Sequence, residues 1–199
     1  TSGSPQTNPR SLNILTYARW KERSGAVVQV PYSINTEGYS SDDITIIKNA
    51  IIELSDALGV VKFIPRTYQL SYIRIESRSP GCFSWVGKMS QDTYQAVNLE
   101  TGCLVPGTIK HELIHALGLD HEQTRPDRDS YIQINFENIE EKQQHNYNIR
   151  IDSMILGTQY DYGSVMHYNR RAFARDPNVD TFITLQAGAD DLGQRDGPS

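Results

Sequence analysis

The stretch HELIHALGLDH, running from His111 to His121, holds three of the chain's five histidines. On an α-helix, residues four apart share a face, so His111 and His115 project side by side and can grip one metal ion. Gly118 can take the left-handed conformation that ends a helix, and the turned chain can then return His121 as a third ligand. Three neutral imidazoles leave a fourth tetrahedral position open to water, which is the coordination of a catalytic rather than a structural zinc. Glu112 follows the first histidine, an offset that puts its carboxylate beside that position rather than on the metal. It is the candidate general base. A lone histidine reads as a solvated or satisfied residue, and a lone helical glutamate as an exposed carboxylate. It is the joint spacing that reverses both readings.

The elements around this helix set the fold class. VVQVPYSI (Val27 to Ile34), VVKFIPR (Val60 to Arg66) and SYIRIES (Ser71 to Ser77) read as strands, and GCFSWVGKMS (Gly81 to Ser90) as an extended segment beside a turn. In SSDDITIIKNAIIELSDALG, Ile44, Ile47, Ile51, Leu54 and Leu58 recur at helical spacing, with Ser and Asp in front and Gly59 behind. The histidine helix is expected to start after Pro106, with Gly107 and Thr108 as cap residues. Residues 122 to 199 lose this periodicity; they are rich in Asp, Asn, Tyr and Arg, with short apolar runs at YIQI and TFITL. The expectation is an α+β fold: a mixed twisted sheet with two helices, followed by an irregular half.

With 199 residues the chain can bury one sizeable core. A charged fraction of 22% and a net charge of -5 give no polyanion-binding surface, so nucleic acid is excluded as a partner. No apolar run is long enough to span a bilayer, so no membrane partner is expected, and no signal-peptide pattern opens the chain. We read it as a processed or excised soluble segment. Residues 1–19 form an arm, of which the first thirteen are rich in Ser, Thr, Pro, Asn and Gly. It lacks Asp and Cys, so it offers no side chain for a latency switch. Cys82 and Cys103 permit either one disulfide or two buried thiols.

HELIHALGLDH followed by Glu122 and TRPDRD resembles the astacin family of metzincin endopeptidases. The resemblance extends to Trp20 followed by VPY, to KFIPR, to GCFSWVG and to YDYGSVMHY, in order, over residues 20 to 196. It implies a zincin-like two-lobed catalytic domain over residues 20–199, with lobes at about 20–118 and 119–199 and an active-site cleft between them. It also implies a Met-turn with Met166 beneath the histidines, Tyr168 as a further zinc ligand that swings away to assist the transition state, and Glu122 as anchor of the mature amino terminus. The Cys82–Cys103 disulfide carries over, whereas Val60 stands where one cysteine of a second bridge is expected. Cys82, Phe83, Ser84 and Trp85 resemble the edge strand that aligns substrate by strand addition. Arg125, Arg128 and Asp129 are expected in structural ion pairs, and His145 and His167 as non-ligands. Astacins often favour acidic side chains after the cut; Arg170, Arg171 and Arg175 could complement them, though a solvated basic face is the plainer reading. After LGQRDGPS the family continues into a carboxy-terminal helix.

The expected activity is that of a secreted, monomeric endopeptidase, carrying one Zn2+ and acting on extended polypeptides. A catalytically silent zinc-binding module and a zinc amidohydrolase acting on a non-peptide amide are the alternatives.

Overall fold

The structure, a computed structural model, describes residues 12–13, 19–151, 153–155 and 157–198. Apart from Leu12, Asn13 and Arg19, the arm lies outside them, and with it any contact between the amino terminus and Glu122. The fold is α+β. Its strands are β1 (Leu12–Asn13), β2 (Arg23–Ser24), β3 (Val27–Ile34), β4 (Val61–Pro65), β5 (Tyr72–Glu76), β6 (Cys82–Ser84), β7 (Tyr94–Leu99), β8 (Ile132–Ile134), β9 (Ser153–Met154) and β10 (Phe182–Thr184). Its helices are α1 (Ser41–Leu58) and α2 (Pro106–Leu117). The described residues divide into two compact units, one built on residues 19–119 with 194–198, the other on residues 120–193.

In the first unit β4, β3, β5 and β7 run parallel, β2 forms a short hairpin with β3, and β6 lies antiparallel to β7 at the sheet edge. The pleat sends Val30, Ile73, Ile75, Val97 and Leu99 into the core, all fully buried. They join Ile47, Ile51 and Leu54 of α1 and Ile109 and Leu113 of α2. Each such side chain contributes roughly 1.5–3 kcal/mol of burial. Helix α1 begins in a capping box, Ser40 with Asp43, and ends at Gly59 with φ 66°. Strand β7 is not apparent in the sequence. Its inward Gln95 interrupts the apolar alternation, and its amide is spent on the Gly87 carbonyl and the Met89 N–H.

Cys82 and Cys103 are bonded, with their Cα atoms 5.7 Å apart, tying the edge strand to the turn before α2. Closing a loop of this length stabilises by about 3 kcal/mol in the chain-entropy model. Replacing both cysteines by serine is expected to lower the unfolding free energy by that amount. The thermal midpoint should then fall by about 6–12 °C for a domain of this size, read by calorimetry against the oxidised parent.

Among the described residues the second unit has little sheet: β10 pairs antiparallel with β8, besides the short β9. Its core gathers Ile132, Ile139, Tyr147, Tyr160, Tyr162 and Phe182. Buried arginines supply the order that periodicity does not. Arg125, 1% exposed, bonds Glu122, both Asp127 oxygens and the carbonyls of Thr158 and Gln159. Arg128 donates to the carbonyls of Gln123 and Tyr147 and pairs with Asp129. Arg171 pairs with Asp180, and Arg175 donates to the Ile139 carbonyl, so these two arginines are engaged with the unit's own loops.

Candidate metal centre

Helix α2 starts earlier than the sequence suggests: Val105 is the N-cap and Pro106 opens the helix, where its missing N–H costs nothing. Gly107, expected as a cap residue, is in the helix for another reason. A Cβ there would overlap the Arg195 carbonyl, since the terminal segment passes directly over the first turn. Lys110 fixes the same region by pairing with Glu53 at 2.7 Å and donating to the Asp196 carbonyl.

At its other end α2 stops at Gly118, left-handed with φ 111°. The carbonyls exposed by that stop are taken up locally. His115 O accepts from the N–H groups of Gly87 and Gly118, and Ala116 O from the Trp20 indole. The histidine turn is therefore braced by the loop after β6 and by Trp20. His111 and His115 stand edge to face, ring centroids 4.7 Å apart. Leu119 O sits 2.8 Å from His115 Nδ1; a carbonyl can only accept, so Nδ1 carries the proton and Nε2 presents its lone pair. One ligand atom from each of His111, His115 and His121 lies within 4.8 Å of the others. Three nitrogens this close could hold a single zinc ion between them. The donor set, three imidazoles with a tautomer fixed on one of them, fits zinc.

Glu112 lies between the two helical histidines in sequence and is buried. Burial, partly offset by the Arg195 guanidinium, pushes its carboxyl up to about 7. A cation on the histidines would draw it down again.

His121, Glu122, Gln123, Met166 and Tyr168 form one cluster in the second unit. The Glu122 N–H donates to Met166 O, and the Met166 side chain is fully buried. Glu122 Oε1 accepts from Arg125 and from the Asp161 N–H, while its Oε2 has no hydrogen-bond partner among the described residues. Burial pushes the Glu122 carboxyl up, against the pull of Arg125. The Tyr168 ring lies 4.6 Å from that of His121. Its N–H donates to Gln123 Oε1, and its carbonyl accepts from His167 Nδ1. His167 Nε2 in turn accepts from the Tyr160 hydroxyl, so this buried histidine is a satisfied core residue rather than a ligand. His145 is exposed and outside the three-histidine group.

Cys82–Ser84 is the edge strand β6, and Phe83 and Trp85 are exposed beside it. Sequence reasoning missed Gln123, the bracing role of His167, and Arg195. Each acts through a tertiary partner that no spacing reveals.

Residues 15–199 match the family model described as Astacin, a peptidase family. High choriolytic enzyme 1 of Oryzias latipes is 38% identical over 180 residues, covering 90% of this chain and 65% of that protein. Low choriolytic enzyme from the same fish is 42% identical over 158 residues, covering 79% of this chain and 56% of that protein. The chain thus spans about two thirds of these relatives or less. The solved structure of high choriolytic enzyme 1, a hatching enzyme zinc-protease, superposes with a TM-score of 0.85 at 37% identity, covering 93% of this chain and 90% of that one.

Proposed function

Since this chain belongs to the astacin family of peptidases, we propose that it is a zinc-dependent endopeptidase cleaving extended polypeptides. The observation that carries this is the convergence of His111, His115 and His121 with the buried carboxyl of Glu112 next to the first of them. Zinc, when bound, supplies an acidified water molecule and polarises the scissile carbonyl. Glu112 takes the proton of the attacking water and hands it to the leaving amine, so the same carboxyl serves as base and then acid. Tyr168, whose backbone is bonded to Gln123 and His167, donates its hydroxyl to the oxygen on which charge develops. The free edge of β6, at Cys82 to Ser84, pairs with the substrate backbone. The bond from the Glu122 N–H to Met166 O ties the Met166 segment to the residue after His121, and in this reading both residues support the His121 turn.

The disulfide supports an extracellular setting. Among the described residues no helix is long and apolar enough to cross a membrane. The test is digestion of denatured casein by the zinc-loaded chain, with and without a chelator, and mapping of the fragments by mass spectrometry. Internal cuts that vanish on chelation are expected. Intact casein from a zinc-replete chain would reduce the protein to a zinc-binding module.

A further inference from the structure

Phe173 is the only described non-glycine residue with positive φ, at 58°. In that conformation a bulky side chain is a genuine outlier, tolerated when the surroundings over-determine it. They do so here. Phe173 O accepts from the Glu140 N–H, the Ala174 N–H donates to Arg171 O, and the Arg175 N–H donates to Asn138 O. Ile139 and Ala174 form an antiparallel bridge. The Tyr147 hydroxyl holds Ala172 O at 2.7 Å. A turn alone would be served by glycine or asparagine at this position. What phenylalanine adds is its ring, which meets the Tyr168 ring edge to face at 5.5 Å. Tyr147 meets Tyr168 in the same manner at 5.6 Å, and His121 closes on it at 4.6 Å.

We propose that Phe173 is a positioning residue for Tyr168: its left-handed backbone aims the phenyl ring so that, with Tyr147, it fixes the plane in which the phenol reaches the reaction. The inference rests on the reading of Tyr168 given above. The strain at Phe173 is retained because the unstrained alternatives lose the ring. Phe173 is 37% exposed and stands outside the buried core of its unit.

The experiment compares Phe173→Gly, Phe173→Ala, Phe173→Tyr, Tyr168→Phe and the double variant Tyr168→Phe/Phe173→Gly. All are zinc-loaded and assayed for kcat and KM on one fluorogenic peptide, with thermal midpoints measured in parallel. Phe173→Gly is expected to lower kcat by roughly 10–10²-fold, as a misplaced catalytic group does, with KM within about twofold. Phe173→Tyr, which keeps the ring, is expected to stay close to the parent. The double variant should be no slower than Tyr168→Phe alone, because the effect passes through the hydroxyl. Phe173→Gly should also melt above Phe173→Ala, since only glycine relieves the backbone. A parental kcat in Phe173→Gly overturns the proposal, as does a rise in KM alone, which would make Phe173 a substrate contact. Equal slowing by Phe173→Gly in both Tyr168 backgrounds also overturns it. A lower midpoint for Phe173→Gly than for Phe173→Ala would remove the strain from the account. If Tyr168→Phe itself turns over like the parent, the reading of Tyr168 fails first and takes this one with it; a slow Tyr168→Phe beside a fast Phe173→Gly fails Phe173 alone.

Discussion

Glu112→Gln, loaded with one zinc ion per chain, is expected to cleave a peptide substrate about 10²–10⁴-fold more slowly than the parent, the range for loss of a positioned general base. The substitution is nearly isosteric at a buried position, and it leaves His111, His115 and His121 as they are. An amide cannot take a proton from water at neutral pH, whereas a carboxylate whose affinity is raised by burial can. The loss should fall on kcat, with KM little changed, because Glu112 acts on the proton rather than on substrate binding. Metal content by atomic absorption distinguishes the outcomes. Full zinc with undiminished turnover would remove Glu112 from the chemistry, and lost zinc would make it a ligand instead.

What the sequence discloses here is whatever repeats with a local period. The core face of α1 follows from Ile44, Ile47, Ile51, Leu54 and Leu58, and its start from Ser40 and Asp43, because both depend on residues three or four apart. The histidine pair on α2 and the Gly118 stop are legible for the same reason. Strand β7 escapes notice because Gln95, an inward position, serves loop backbone rather than core. Gly107 is misread as a cap because the carbonyl that demands it belongs to Arg195, at the far end of the chain. The second unit is built from buried ion pairs and phenols, Arg125 with Glu122 and Tyr147 with Ala172 and Thr181. Such contacts have no period. Tyr168 and Met166 are accordingly accessible only through family resemblance, and Phe173, whose peculiarity is a backbone angle, through neither.

Tyr168→Phe isolates one hydroxyl more cleanly than any other substitution in this site. The ring contacts with His121, Tyr147 and Phe173 survive it. So do the backbone bonds to Gln123 and His167. His111, His115 and His121 are untouched, so the variant is compared at matched zinc content, and a kinetic change then belongs to the missing O–H. A donor aimed at the charge that develops on the carbonyl oxygen stabilises the transition state by an amount equal to about 10²–10³ in kcat. Substrate binding needs no such donor, so KM should stay within a few-fold. A phosphinic peptide, tetrahedral and anionic where the substrate is planar and neutral, reports on the same group at equilibrium. Its affinity for Tyr168→Phe should fall in parallel with kcat, whereas a planar product peptide should bind both forms alike. Parental turnover would exclude the hydroxyl from catalysis. A loss of affinity shared by both peptides would place it in ground-state binding, because a group that stabilises substrate and transition state equally cannot accelerate the step between them.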